Sequence, residues 1–204
     1  VFLTKPFSHK TKKNILNLFY SPKMLIDFVF CLKNGLKWDP TWRYYGYPVV
    51  KMHKRGSISI GRNFVAVSSN AHNSIGIFQR VVIKTVRPDA RILIGNNVEI
   101  SGCSISSSVS INIGDNVLIG SGCLITDSDA HPLLHNERHD PTKTKCKPII
   151  IKNNVFLGAR SIVLKGVTIG CNSVIGAGSV VTKNIPNDCV AAGNPAKVVK
   201  QLQY

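Results

Sequence analysis

At 204 residues the chain is long enough for one domain and a short extra element, and 44% hydrophobic residues are normal for a globular core. Lys and Arg number 26 against 10 Asp and Glu, a net charge of +16, which calls for an anionic partner. The basic residues are not interleaved with aromatics, which disfavours nucleic acid; no run approaches the ~18 apolar residues of a membrane span; and the six cysteines lack disulfide-framework spacing and read as apolar filler in a reducing compartment.

In chain order, residues 1–12 are polar and basic, with no secretory signal visible. From Asn14 to Lys37 the pattern Ile15, Leu18, Phe19, Ile26, Phe30 predicts helix, interrupted at Ser21-Pro22, where Pro22 suits a first turn capped by Ser21. This apolar, aromatic face (Phe19, Tyr20, Phe28, Phe30) either packs on the rest of the molecule or, with lysines from Lys10 to Lys37, rests on a membrane surface. Asp39 to Lys54, with Trp42, Tyr44, Tyr45 and Tyr47, reads as an irregular connector.

A six-residue beat then governs the chain. Ile151, Leu157, Val163, Ile169, Ile175 and Val181 stand six apart without a slip, and Val155, Ser161, Val167, Ser173 and Ser179 fill the small place of their units. Helices repeat near 3.6 residues and strands near 2, so a strict six means a chain that turns a corner every six residues and stacks coil on coil. That is a parallel β-helix, in which each unit buries its aliphatic residue against its neighbours. The beat starts near Ser57-Ile58-Ser59-Ile60-Gly61, is ragged from Phe64 to Val86, and returns at Ile94-Gly95 and Ile113-Gly114. Gly95-Asn96-Asn97, Gly114-Asp115-Asn116 and Gly170-Cys171-Asn172 supply residues that tolerate left-handed backbone at corners.

Between Ile125 and Ile151 the beat stops. The polar stretch Asp127 to Lys147 carries Asp127, Asp129, His131, His135 and His139. A solenoid has no structural need for it, and a loop leaving a rigid scaffold is where function sits. The expected organisation is an extension over residues 1–56, a solenoid over 57–186 with its loop at 127–147, and a tail over 187–204.

Several separate motifs occur in order: Ile113-Gly-Asp-Asn-Val-Leu-Ile119, Asp129-Ala-His131-Pro132, Lys147-Pro148-Ile149, Gly166-Val-Thr-Ile-Gly170, Ile175-Gly-Ala-Gly-Ser-Val-Val-Thr-Lys183 and Ala192-Gly-Asn-Pro-Ala-Lys197. Over residues 57–200 this closely resembles the hexapeptide-repeat O-acetyltransferases, which include the maltose and galactoside enzymes and those of bacterial surface-polysaccharide synthesis. The resemblance implies a left-handed parallel β-helix, a homotrimer with sites between subunits, acetyl-CoA as co-substrate and a carbohydrate acceptor, in the cytoplasm or at the inner face of the membrane. It places the catalytic base at His131. An alcohol needs a base near neutral pKa to attack a thioester, and histidine is the side chain closest to that value. Asp127, Asp129 or a backbone carbonyl would orient the imidazole.

For the cofactor, the resemblance points to Ala159 and Ala177 at tight corners beside the pantetheine, to Thr182 and Lys183, and to Lys197 and Lys200 near the phosphates. Phe156 stands where sugar acetyltransferases often carry Trp. The acceptor-binding Asn of the galactoside enzymes is absent near Ile100-Ser101-Gly102, leaving Ser101 as a replacement. No metal is expected: His131, His135 and His139 at four-residue spacing would need a helix to converge, and Pro132 and Pro141 bracket the stretch. The competing functions are N-acetylation of an amino-sugar nucleotide and a non-catalytic scaffold.

Overall fold

The computed structural model describes residues 21–203. The chain divides into Val1–Pro40 and Thr41–Tyr204. In the first unit, helix α1 spans Pro22–Lys33. Ser21 is extended and its hydroxyl accepts from the Met24 amide at 3.4 Å, with Pro22 in the first turn, as expected from the sequence. The helix ends where the Leu36 amide bonds back to the Cys31 carbonyl through Gly35 at φ +68°. Buried Asp27 pairs with Lys23 one turn away at 2.8 Å, and Phe28 meets Trp38 edge-on at 5.7 Å. Leu25, Ile26, Val29 and Leu32 are exposed along one stripe. The helical segment expected from Asn14 to Tyr20, with Phe19 and Tyr20, lies outside the described residues.

The second unit is the left-handed parallel β-helix, with three faces visited in turn. The first stacks Arg43–Tyr45, Val65–Val67, Glu99–Ser101, Leu118–Ile119, Phe156–Leu157, Val174–Ile175 and Cys189–Gly193. The second stacks Val49–Lys51, Val82–Thr85, Ser104–Ser107, Leu124–Thr126, Ile162–Val163 and Val180–Val181. The third stacks Ser57–Ile60, Arg91–Ile94, Ser110–Ile113, Ile149–Ile151 and Thr168–Ile169. Three hexads make one coil, so Phe156 pairs in register with Val174, and Ile162 with Val180. Alternation puts alternate aliphatic side chains inward, and Ile151, Leu157, Val163, Ile169, Ile175 and Val181 are all buried. Each contributes roughly 1.5–3 kcal/mol of apolar burial.

The small places are also inside, and their hydroxyls are bonded: Ser173 donates to the Pro186 carbonyl at 2.7 Å, and Ser179 accepts from the Gly193 amide at 3.0 Å. At the corner from third to first face, Asn63, Asn97, Asn116, Asn154 and Asn172 all have φ between +56° and +60°. Their side-chain amides form a ladder that ends on Asp188. Asparagine suits both demands, tolerating left-handed backbone while both donating and accepting.

The solenoid begins two strands earlier than the sequence suggested, at Arg43–Tyr45. Arg43–Tyr45 pairs in parallel with Val65–Val67, so Asp39 to Lys54 is no loose connector. Trp42 and Tyr44 point inward, and the Trp42 indole donates to the Gly61 carbonyl at 2.6 Å and lies edge-on to Phe64. The tail also differs: Cys189–Gly193 continues the first face beside Val174–Ile175, and only Ala196–Gln201 turns back antiparallel. Two segments leave the coils: residues 127–148, against 127–147 expected, and residues 68–81, which the ragged beat concealed. Cys103 and Cys123 are core filler, and burial pushes both thiols up in pKa, away from nucleophilic use.

Candidate active site

The long loop leaves at the corner between the second and third faces through a short antiparallel neck. Ser128 bridges Cys146, the Asp129 amide donates to the Lys145 carbonyl at 3.1 Å, and the Lys147 amide donates to the Asp127 carbonyl at 2.9 Å. Asp127 is fully buried, and its carboxylate accepts from the amides of Ser108 at 2.6 Å and Val109 at 2.8 Å and from the Ser107 hydroxyl at 2.9 Å. These donors lie on the coil before, so Asp127 staples the neck to the solenoid. Asp129 forms an ion pair with Lys165 from the same corner one coil on, and its second oxygen is buried without a partner among the described residues.

Ala130 turns the chain at φ +62°, and the His131 amide then bonds to the Asp129 carbonyl at 2.7 Å. The His131 ring faces neither carboxylate: its Nδ1 lies 3.2 Å from the Arg138 carbonyl. Of the three partners open from the sequence, a backbone carbonyl is the one within hydrogen-bond distance of the ring. A carbonyl only accepts, so in the neutral ring this contact selects the tautomer with its proton on Nδ1 and Nε2 as the acceptor, on an exposed side chain. Arg138 is held by the loop's own architecture. Lys143 pairs with Glu137 at 2.6 Å, and Asp140 caps the turn Pro141–Lys143, where bonds from Thr142 hold its carboxyl below the usual range. The Arg87 guanidinium donates to the Pro141 carbonyl at 2.7 Å, tying the loop to the scaffold. His135 and His139 converge on nothing: among the described residues no group of three or more His, Cys, Asp or Glu is placed to hold a metal.

A cleft of about 430 Å³ lies on a different edge, the corner between the first and second faces. Ile75, Phe78, Ser121, Ala159, Arg160 and Ala177 line it. Coils approach so closely here that a Cβ on Gly158 would lie 2.6 Å from the Ala177 nitrogen. Ile75 and Phe78 belong to the segment 68–81, which folds down this corner, with the Ser121 hydroxyl bonded to the Gly76 carbonyl at 2.7 Å. Its Ile77 and Gln79 cover Gly102, beside Ser101. Ser101 and Phe156 stand on the first face and do not line the cleft.

The expected site residues therefore fall on two edges. Ala159 and Ala177 share the cleft, and Lys197 pairs with Ala192, one coil beyond Ala177 at the same corner; Lys200 lies opposite Val190. His131, Thr182 and Lys183 belong to the other corner, with Thr182 and Lys183 following Val180–Val181. Lys183, Lys197 and Lys200 are exposed, and none is paired with a carboxylate among the described residues. Sequence reasoning missed Lys165, Arg160 and the segment 68–81. The last had a signal, the polar break between Val65-Ala66-Val67 and Val81-Val82-Ile83; Arg138 had none, because it acts through its backbone.

A family model described as the hexapeptide repeat of succinyl-transferase matches residues 148–183. The chain is 39% identical over 124 residues to a galactoside O-acetyltransferase of Escherichia coli (strain K12), a match covering 57% of this chain and 60% of that protein. It spans about half the length of other curated relatives. Among solved structures, a galactoside acetyltransferase in complex with coenzyme A shares 27% identity at a TM-score of 0.52, covering 95% of this chain and 80% of that one. A polysialic acid O-acetyltransferase shares 25% at a TM-score of 0.60, covering 81% and 84%. By its repeat, its fold and its relatives, the chain is similar to the hexapeptide-repeat O-acetyltransferases.

Proposed function

We propose that the protein transfers an acetyl group from acetyl-CoA directly to a sugar hydroxyl, in bacterial surface-polysaccharide synthesis, with His131 as general base. The observation that carries this reading is the exposed His131 imidazole, oriented by the Arg138 carbonyl 3.2 Å from its Nδ1, at the head of a built loop. Nε2 takes the hydroxyl proton as the oxygen attacks the thioester carbonyl. The tetrahedral oxyanion collapses, the carbon–sulfur bond breaks, and the imidazolium returns its proton to the departing thiolate. Asp127 and Asp129 act through the loop's neck and not on the ring.

The cleft fits the slender pantetheine arm, because Ala159 and Ala177 present little side chain there. Lys183, Lys197 and Lys200, with no carboxylate partner among the described residues, suit the phosphates. Base and cleft lie on separate edges of one chain, so a working site takes the loop of one subunit and the cleft of the next, which supports a closed homotrimer. Acetyl-CoA supply places the reaction in the cytoplasm, and the exposed stripe Leu25, Ile26, Val29, Leu32 beside Lys33 and Lys37 supports a peripheral contact with the inner membrane face.

The test is incubation with acetyl-CoA and a sugar panel, following thiol release and product mass, with alkaline lability separating ester from amide. Acetyl esters are expected; acetamides alone, or no transfer with no CoA binding, would overturn the reading. Lys183→Ala and Lys197→Ala are each expected to raise KM for acetyl-CoA by up to roughly ten-fold, since a partly exposed lysine–phosphate contact is worth about 1.5 kcal/mol after screening. The difference from wild type should narrow with added salt. A rise in acceptor KM alone would contradict the assignment.

A further inference from the structure

Arg160 occupies a backbone position that suits it poorly. Among the described non-glycine residues with positive φ, the others are Asn, Asp or Ala; Arg160, at φ +60°, alone carries a long side chain. Its neighbours up and down the same corner are glycines, Gly122 at φ +74° and Gly178 at φ +71°. A left-handed conformation is unfavourable at a residue with a Cβ, and such strain clusters at binding sites. The side chain folds back across Gly122, where a Cβ would lie 3.5 Å from the Arg160 Cγ, and its guanidinium carbon sits 4.5 Å from the Phe78 ring centroid. Glycine at 122 leaves the path open. Phe78 is itself 70% exposed, so the stack sits at the mouth of the cleft.

Stacking occupies one face of the guanidinium and leaves its in-plane N–H donors free. No described carboxylate pairs with it. A planar donor fork, fixed in direction and lacking an acceptor among the described residues, is built for a carboxylate or phosphate. The direction also separates acceptor from cofactor. The arginine leans toward Gly122 and Phe78, back along the coils, whereas Ala177 and Lys197 continue the other way. Beyond Gly122 lies Gly102, beside the acceptor position assigned by resemblance, and there Ile77 and Gln79 of the segment 68–81 form the cover.

We propose that Arg160, braced on Phe78 across Gly122, is a specificity-determining residue that receives an oxyanion on the sugar acceptor, so that the preferred acceptor is an acidic sugar. The inference rests on the acetyl-transfer reading above. It also accounts for part of the +16 net charge, which would draw an anionic glycan toward the site.

The experiment uses the full chain with acetyl-CoA and paired acceptors: glucuronate, galacturonate and N-acetylneuraminate, each against its methyl ester, and galactose 1-phosphate against galactose. The ester keeps the ring and removes the charge; the phosphate pair distinguishes the two oxyanions. The wild type should favour at least one charged member by roughly ten-fold or more in kcat/KM, as expected for one charge-assisted fork. In Arg160→Gln that ratio should fall to within about two-fold of unity, through KM for the acid, with Arg160→Lys intermediate. Equal use of charged and neutral partners by the wild type overturns the proposal. So does a loss in Arg160→Gln that falls on KM for acetyl-CoA, which would make Arg160 a cofactor contact. Saturation-transfer NMR of the same sugars with both proteins keeps the two readings separable. Acid binding lost in Arg160→Gln supports the anion site even without turnover. Absence of CoA binding sinks only the acetyl-transfer reading, and absence of acid binding sinks the anion site.

Discussion

His131→Ala is expected to lower acetyl transfer by on the order of 100- to 10,000-fold, the usual loss for a general base. The effect should fall on kcat, because His131 makes no part of the cleft, which lies on another edge of the same chain. Binding of CoA, read by thermal shift, should persist. His131→Asn is a useful companion. Its amide can still donate to the Arg138 carbonyl, so the loop keeps its geometry while the basic nitrogen is lost. Both variants should be equally inactive. Activity within a few-fold of wild type in either would remove His131 from the chemistry.

Asp127→Ala should lower stability rather than abolish a chemical step. The carboxylate accepts from two backbone amides and a hydroxyl with no access to water, and truncation strands those donors. A broken buried network of this kind costs about 3 kcal/mol or more. For a chain of this size that is a drop in Tm of roughly 6–12 °C, measurable by calorimetry. Asp127→Asn should not rescue it, because one end of the amide would turn a donor toward the Ser108 or Val109 amide. Activity at low temperature should fall less than in His131→Ala, since Asp127 acts by anchoring the neck. Unchanged Tm in both variants would refute this role.

These two residues show what the sequence could and could not disclose. The hexads were legible because each position reports one physical fact, inward burial or a corner, and Ile151 to Val181 repeat it without interruption. The first coil was not, because Trp42 and Tyr44 close the solenoid with large aromatics instead of the aliphatic beat. Asp127, Asp129 and His131 lie within five residues, and the sequence leaves either carboxylate or a backbone carbonyl open as the partner of the ring. In the structure the positive φ of Ala130 turns the chain between them, and each finds a different partner: Ser107, Ser108 and Val109 for the first, Lys165 for the second, the Arg138 carbonyl for the third. Backbone carbonyls carry no signature in sequence, so that last contact had to be seen. The separation of the site onto two edges was equally hidden. Lys183 and Ala177 are near in sequence, yet Val180–Val181 carries the chain across a face between them.

That separation also frames the most direct test of the account. His131→Ala removes the base but leaves the cleft. Ala177→Trp blocks the cleft, at an exposed position where the added ring meets no core, and leaves the base. Each variant alone should be inactive. Co-expressed in equal amounts and isolated as mixed trimers, they should recover about a third of wild-type acetyl transfer, because one interface of the three in each mixed trimer joins an intact loop from one chain to an intact cleft from the next. Recovery of no activity beyond that of the separate variants would contradict a site shared between subunits, and with it the placement of His131 opposite the cleft.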